Sequence, residues 1–216
     1  MPDLDPLELG KQLKKPSGDT GISVAHKMND SNATLYDFVF SLADLKPDDT
    51  VLEIGFGNGK FIPKYFEGRP GIRVHGVDHS ETMCKEAAGF NARHVESGQL
   101  TIKCEDAQKM SYPDGYFDKV FSLNNLYFWE PAGTLTAEIR RVLKKGGRLY
   151  LSYTPGSILK KLDCTQEVFN LYEKEDVAQL LRSHGFRVID QVCQPVSKIS
   201  IEGKQIDTIN ICAVAE

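Results

Sequence analysis

The sequence predicts an α/β fold built on a mainly parallel sheet of seven strands, the last of them antiparallel. From residue 50 onward, short apolar runs alternate with segments of helical periodicity, which is the pattern of βαβ units. The last two runs follow each other without a helix between them, across a turn-prone segment that holds Gly203 and Lys204. Strands joined by a short turn lie antiparallel, so the final strand is expected to reverse direction.

The apolar runs predict strands at residues 50–55, 72–78, 100–105, 117–123, 148–153, 186–193 and 208–214. Helices are predicted between them at residues 60–66, 81–93, 132–143 and 174–184. Gly185 follows the last of these helices and suits a left-handed C-cap. Pro63 lies about four residues into the first helix, near the limit at which its missing N–H costs little.

The segment before residue 50 has a different pattern. Residues 30–45 are predicted to form a helix, with Asp30 or Ser31 as its N-cap. The apolar residues on one face of that helix are Leu35, Phe38, Val39, Leu42 and Leu45. We therefore divide the chain into an N-terminal helical cap, residues 1–45, and an α/β domain, residues 46–216.

Composition narrows the class of protein. The chain has 216 residues, 41% hydrophobic and 26% charged, which suits one globular unit with a full core. A net charge of −4 provides no basic field for a phosphate backbone, so nucleic acid is disfavoured as a partner. The five cysteines are scattered and never spaced as C-x-x-C, so neither a disulfide framework nor a metal site is expected.

The sequence contains no apolar run of about 18 residues and no apolar targeting segment near its start. Stable membrane insertion is therefore not expected, and a cytoplasmic protein is predicted.

Glycines cluster directly after the first predicted strand, in the segment VLEIGFGNGKF. Gly55, Gly57 and Gly59 lack β-carbons and would expose backbone N–H groups where ligands of open α/β sheets bind. The spacing G-x-G-x-G differs from the dinucleotide pattern G-x-G-x-x-G, whose third glycine would fall at Lys60. The turn therefore favours a ligand other than a dinucleotide. Alternatively, it only connects a strand to a helix.

Glu53 lies inside the apolar part of the same segment. A carboxylate in a buried strand costs several kcal/mol unless it is paired or hydrogen-bonded. A cationic group of a ligand near Glu53 would explain why a carboxylate is tolerated in this strand. Alternatively, its side chain reaches solvent at an edge of the sheet or accepts from a local backbone amide.

Two more acids follow the next two strands. Asp78 could accept hydrogen bonds from both hydroxyls of a ribose, or cap the following helix together with Ser80. Asp106 could accept from an exocyclic amine while the N–H of Ala107 faces a ring nitrogen. The alternative for Asp106 is an aspartate in a surface turn.

The fourth strand ends in SLNNLYFWE, an unusually aromatic stretch. Asn124 and Asn125 lie at the strand end, and Tyr127, Phe128 and Trp129 follow them. These rings would either face a substrate or fill the core.

Together, these motifs resemble those of class I S-adenosylmethionine-dependent methyltransferases. The resemblance covers residues 50–155 and rests on E-x-G-x-G-x-G from Glu53, Asp78, E-D-A at 105–107, FDKVFSLNNL and RRVLKKGGRLYLS. The type that it resembles most is the small-molecule methyltransferases of quinone biosynthesis. The sequence departs from the family pattern at Glu105. It also departs at NNLYFW, where many relatives have a histidine-containing segment.

The resemblance implies a Rossmann-like sheet in the order 3-2-1-4-5-7-6 with helices on both faces. It implies S-adenosyl-L-methionine as cofactor and S-adenosyl-L-homocysteine as product. The glycine turn would contact the methionine part of the cofactor, Asp78 the ribose and Asp106 the adenine amine. The residues implied to bind the cofactor are Glu53, near its ammonium group, Gly55, Gly57, Gly59, Asp78, His79, Met83, Asp106, Ala107 and Asn124.

The reaction implied is methyl transfer to a small-molecule acceptor by in-line displacement, in which alignment is the main work of the enzyme. A general base is needed only for a hydroxyl, a protonated amine or an acidic carbon. His26 and Tyr127 are the candidates for that base. Candidate substrate contacts are Asn29, Asn32, Tyr127 and Trp129. The sequence leaves open the acceptor atom (oxygen, nitrogen, carbon or sulfur) and the oligomeric state.

Two alternatives belong to other classes. An NAD(P)-dependent oxidoreductase would also use a glycine turn and Asp78, but Lys60 and the E-D-A segment disfavour it. A methyltransferase-like module could bind the cofactor or a protein partner without turnover.

Overall fold

The structure, a computed structural model, describes residues 4–216. Residues 1–3 of the predicted N-terminal cap lie outside this range. Among the helices of the described chain, none combines the length and the apolar character needed to span a bilayer.

Seven strands form one sheet in the order β3-β2-β1-β4-β5-β7-β6. They are β1 Thr50–Ile54, β2 Arg73–Asp78, β3 Leu100–Cys104, β4 Phe117–Leu123, β5 Leu143–Tyr153, β6 Val188–Ile199 and β7 Gln205–Ala215. β1 pairs in parallel with both β2 and β4, whereas β7 pairs antiparallel with β5 and β6. The predicted strand number, order and antiparallel last strand are confirmed.

The last two strands are longer than predicted. β6 and β7 form a hairpin that pairs from Val188 and Ala215 out to Ile199 and Gln205. Pro195 lies within β6 and disfavours a strand in the sequence. It is accommodated because β6 is at the edge of the sheet, where one row of backbone N–H groups needs no partner.

Seven helices accompany the sheet: α1 Pro6–Lys14, α2 Gly18–Leu42, α3 Glu81–Phe90, α4 Ala92–Glu96, α5 Ala132–Val142, α6 Gly156–Leu159 and α7 Lys174–Ser183, all within the described chain. Short 3₁₀ turns lie at Ile62–Tyr65, Ala107–Lys109, Leu126–Phe128 and Asp163–Thr165. Helices therefore cover both faces of the sheet.

The predictions for three helices are wrong in extent. Residues 60–66 form only the 3₁₀ turn Ile62–Tyr65, because Pro63 supplies no N–H for a longer helix. The helix predicted at 81–93 ends at Phe90, and α4 begins at Ala92. α2 begins at Gly18, after Ser17, and not after Asp30 or Ser31.

α1 was not predicted, although its start has a local signal. Oδ1 of Asp5 accepts from the N–H of Glu8 at 2.9 Å, and Pro6 occupies the first helical position. Both features are typical of helix N-termini.

The C-terminal half of α2 packs against one face of the sheet. Leu35 and Val39 are fully buried in a cluster with Val51, Phe121 and Tyr150 from three strands. On the other face, α5 and α7 bury the side chains Leu135, Ile139, Val177 and Leu181. The helix predicted as a cap thus shares a core with the sheet and places its N-terminal half over the carboxyl ends of the strands.

Gly59→Ala tests how closely the glycine turn packs against α3. Gly59 has a φ of 71°, and an added Cβ would lie 2.7 Å from Cβ of Ala87. Because a left-handed non-glycine residue costs about 1 to 3 kcal/mol, the free energy of unfolding should fall by at least about 1 kcal/mol in urea denaturation.

Gly89→Ala is the matched control. Gly89 lies inside α3, and a Cβ added there meets no described atom within 4 Å, outside the turns of its own helix. Alanine should leave the stability unchanged or raise it by up to about 1 kcal/mol. Equal stability of the two variants would contradict the packing seen at Gly59.

Candidate functional site

A cavity of about 650 Å³ opens at the carboxyl ends of the central strands. The order of the strands reverses between β1 and β4, which is where open α/β sheets bind ligands. Segments that follow β1, β2, β3 and β4 line one part of the cavity, and α1, α2 and the β6–β7 hairpin line the rest. The volume lies in the range of cavities that hold small molecules.

The glycine turn after β1 exposes backbone to this cavity. Gly55 and Gly57 have φ values of 72° and 59°, and both line the cavity. A Cβ added at Gly55 would collide with the amide of Asn125, whereas one at Gly57 would project into open space. Nδ2 of the neighbouring Asn58 is buried and has no hydrogen-bond partner among residues 4–216. A ligand can therefore reach both bare backbone and an uncommitted amide donor.

Asp78 ends β2 and lines the cavity beside this turn. Its carboxylate accepts from the N–H of Ser80 at 2.9 Å and from the N–H of Gly57 at 3.3 Å. Burial raises its pKa, and these N–H donors oppose the rise. The hydroxyl of Ser80 accepts from the N–H of Met83 at 3.2 Å and caps α3. The cap is thus formed by Ser80, and Asp78 retains lone pairs for a ligand.

Asp106, Ala107, His79 and Met83 line the same part of the cavity. Oδ1 of Asp106 accepts from the N–H of Gln108 at 2.9 Å and begins a 3₁₀ turn. The side chain is exposed, so its second oxygen is accessible to a ligand.

Glu53 lies behind the glycine turn and does not line the cavity. It is 1% exposed, and its Oε1 accepts from the hydroxyl of Tyr36 of α2 at 2.5 Å. Burial raises the pKa of Glu53 to about 7. Both alternatives from the sequence, a solvent-exposed side chain and a bond to a backbone amide, are wrong because β1 is central and a tyrosine is the donor.

Residues 52–151 match the methyltransferase domain family Methyltransf_11. The matched segment runs from β1 into β5 and contains the glycine turn, Asp78 and Asp106. Residues 52–151, a little under half of the chain, are therefore assigned to a methyltransferase domain.

The relatives of this methyltransferase agree with that assignment. It is 26% identical over 186 residues to the uncharacterized methyltransferase YdaC of Bacillus subtilis, covering 86% of this chain and 92% of YdaC. It is 36% identical over 119 residues to the ubiquinone/menaquinone biosynthesis C-methyltransferase UbiE of Paraburkholderia phymatum, covering 52% of this chain and 46% of UbiE. The chain therefore matches about half the length of UbiE.

A solved structure shows the same fold over nearly all of the chain. A SAM-dependent methyltransferase from Aquifex aeolicus aligns with a TM-score of 0.63 and 20% identity. The alignment covers 98% of this chain and 99% of that structure.

The aromatic stretch after β4 both fills core and lines the cavity of the methyltransferase. Tyr127 is buried, donates to Oδ1 of Asn124 at 3.2 Å and accepts from the N–H of Thr154 at 2.5 Å. Nε1 of Trp129 donates to Oδ1 of Asn125 at 3.0 Å. Burial raises the pKa of Tyr127 to about 12, so its hydroxyl stays protonated at neutral pH. Tyr127 is therefore placed to orient Asn124 and is poorly suited to act as a base.

The structure places three of the predicted site residues outside the cavity wall: His26, Glu53 and Gly59. The His26 side chain is 55% exposed and its Nε2 lies 3.9 Å from a carboxylate oxygen of Glu86. The other predicted site residues line the cavity: Asn29, Asn32, Gly55, Gly57, Asp78, His79, Met83, Asp106, Ala107, Asn124, Tyr127 and Trp129.

Other cavity residues were missed. Tyr36 and Phe61 stack at a centroid distance of 4.2 Å beside the glycine turn. The β6–β7 hairpin contributes Lys198, Ser200, Ile201, Ile206 and Thr208. The helical phase of α2 could have indicated Tyr36. Lys198, Ser200, Ile201 and Ile206 gave no signal because they lie outside the predicted strands, and Thr208 was predicted only as the start of a strand. Within residues 4–216, no group of three or more His, Cys, Asp or Glu side chains could hold a metal ion.

Glu53→Gln tests whether burial raises the pKa of the Glu53 carboxyl group. A glutamate whose pKa rises from 4.5 to about 7 on folding stabilises the fold below pH 4.5 and loses that contribution as the pH rises to 7. The free energy of unfolding of the wild type, relative to Glu53→Gln, should therefore fall across that range. The expected fall is about 3 kcal/mol, at about 1.4 kcal/mol per pKa unit.

The measurement is urea denaturation of both proteins at a series of pH values without ligand. Glu175→Gln is the control, because that exposed carboxylate pairs with Arg182 on the surface of α7. The difference in free energy of unfolding between Glu175→Gln and the wild type should not show this fall with pH. Parallel stability profiles for the wild type and Glu53→Gln would show that Glu53 is ionised in the folded protein.

Proposed function

We propose that this protein transfers the methyl group of S-adenosyl-L-methionine to a small-molecule acceptor and releases S-adenosyl-L-homocysteine. The observation that carries the proposal is the convergence of Gly57, Asp78 and Asp106 on one cavity. The match of residues 52–151 to a methyltransferase domain supports the cofactor, since that segment contains all three.

The proposed cofactor contacts follow from the positions of these groups. The backbone of Gly55 and Gly57 would face the methionine part, and the amide of Asn58 is an additional donor for its carboxylate. Asp78 would accept from the ribose hydroxyls, since its own two N–H contacts leave lone pairs free. Asp106 and Ala107 would contact the edge of the adenine, with His79 and Met83 beside the ring.

The bound cofactor would supply a methyl group already attached to a good leaving group. The protein would then hold the acceptor in line with it and keep water out. Orientation of this kind lowers a barrier by roughly 7 to 11 kcal/mol. Neither candidate base is placed for proton abstraction, since Tyr127 stays protonated and His26 lies off the cavity wall. An acceptor that binds with its nucleophile already deprotonated fits this site best.

A small metabolite is the acceptor class that the cavity favours. Apolar and aromatic side chains from the segment between β5 and α7 and from the hairpin line the cavity: Leu159, Leu162, Phe169, Ile201 and Ile206. The likeness to UbiE, whose name assigns it to ubiquinone and menaquinone biosynthesis, also supports a small substrate. The net charge of −4 gives no support to a nucleic acid.

Isothermal titration with S-adenosyl-L-homocysteine and with NADH tests the cofactor. Only S-adenosyl-L-homocysteine should bind. Asp106→Ala and Asp78→Asn should each weaken that binding about 10- to 100-fold, because each removes a hydrogen-bond acceptor worth about 1 to 3 kcal/mol. Asp37→Asn is the control, since Asp37 pairs with Lys64 at the surface. Binding of NADH alone would favour the oxidoreductase.

Incubation of metabolite extracts with methyl-labelled cofactor tests turnover. A labelled small molecule is expected, and its structure would identify both the acceptor and the methylated atom. Binding of S-adenosyl-L-homocysteine without any labelled product would favour the non-catalytic module.

A further inference from the structure

Lys198 is a cationic side chain in the cavity wall, and no carboxylate of the described chain pairs with it. Its Nζ donates to the backbone carbonyl of Ser31 at 3.4 Å, across the gap between the hairpin and α2. None of the ion pairs formed within residues 4–216 includes it. Burial lowers the pKa of Lys198. A partly buried ammonium group with one long hydrogen bond has capacity to bind an anion.

Thr208 lies beside Lys198 on the neighbouring strand. In the hairpin, Lys198 is opposite Ile206 and Val196 is opposite Thr208. Lys198 and Thr208 are therefore diagonal neighbours on the same face. Thr208 is 3% exposed and lines the cavity, and its Oγ1 has no hydrogen-bond partner in the described chain. A buried hydroxyl without a partner lowers stability unless a ligand completes it.

These two polar groups are set among apolar ones. Ile201 and Ile206 line the cavity next to them, and Leu162 and Phe169 line it from the segment between β5 and α7. A ligand that fits here has an apolar body and one oxygen group that accepts from an ammonium and a hydroxyl.

The position of the hairpin separates these groups from the acids of the cavity. Asp78 ends β2 and Asp106 follows β3, at the opposite end of the strand order from β7 and β6. The acids would repel an anion, whereas Lys198 attracts one. The glycine turn, which faces the methionine part of the proposed cofactor, belongs to β1 and not to the hairpin.

We propose that Lys198 and Thr208 bind an anionic oxygen group, a carboxylate or a phenolate, that anchors the apolar methyl acceptor. This inference rests on the proposed function, because it assigns the hairpin side of the cavity to the acceptor. The group is an anchor that orients the acceptor, and no bond to it forms or breaks.

Matched pairs of ligands test the inference by titration at pH 8 into protein saturated with S-adenosyl-L-homocysteine. Octanoate and octanamide share an aliphatic body and differ in charge. 2,4-Dinitrophenol, which is ionised at this pH, and 2,4-dinitroanisole form the phenolate pair. The charged member of at least one pair should bind about ten-fold or more tightly than its neutral partner, as expected for a charge-assisted hydrogen bond. The pair that shows the preference identifies the source of the anion.

Variants test whether Lys198 and Thr208 cause the preference for the charged ligand. Lys198→Met should abolish it, Thr208→Val should reduce it about three- to ten-fold, and Lys198→Arg should retain most of it. Lys174→Met is the matched control, since Lys174 also donates to a backbone carbonyl, that of Gln191, but lies outside the cavity wall. The affinity for S-adenosyl-L-homocysteine should be the same in all four variants, which also shows that they fold.

The inference is overturned if the wild type prefers the charged member of neither pair, or if Lys198→Met keeps the wild-type preference. These outcomes differ from failure of the proposed function. Wild-type protein that does not bind S-adenosyl-L-homocysteine would contradict the proposed function itself, whereas binding of it without charge preference would contradict only the anchor.

Discussion

The hydrogen bond between Tyr36 and Glu53 joins the N-terminal helix to the central strand, and the shape of the cavity depends on it. Apolar side chains such as Leu35 and Val39 can pack against a sheet in more than one register, since the hydrophobic effect is not directional. A buried carboxylate that needs a hydrogen-bond donor selects one of these registers. Because Glu53 lies two residues before Gly55, the same contact sets α2 over the glycine turn.

The sheet could be predicted because parallel strands are buried on both faces and appear as short apolar runs. Strand ends then located Asp78 and Asp106 in the cavity wall, since the carboxyl ends of parallel strands share one edge. The predictions for α2 and the hairpin were incomplete for a common reason. Where these elements line the cavity they carry polar residues, such as Asn29 and Lys198, which interrupt the apolar periodicity.

The prediction of His26 as a base is wrong in position because the N-terminal part of α2 was not predicted. It was chosen for its chemistry alone, without a helical phase at that position. The residues of α2 that line the cavity recur at helical spacing: Val24, Ala25, Met28, Asn29, Ser31, Asn32 and Tyr36. His26 lies off that stripe and faces Glu86. The partners of Glu53 and Lys198 were beyond prediction because both contacts arise from tertiary packing, 17 and 167 residues apart.

The two sides of the cavity come from different parts of the chain. The acids and the glycine turn lie within the family match, residues 52–151, whereas α1, α2 and the β6–β7 hairpin lie outside it. If the hairpin binds the acceptor as proposed, donor recognition and the acceptor anchor are encoded in separate stretches of the gene. Chimeric genes that exchange the outer stretches between relatives would then give protein engineering a route to new acceptors, with the inner stretch kept.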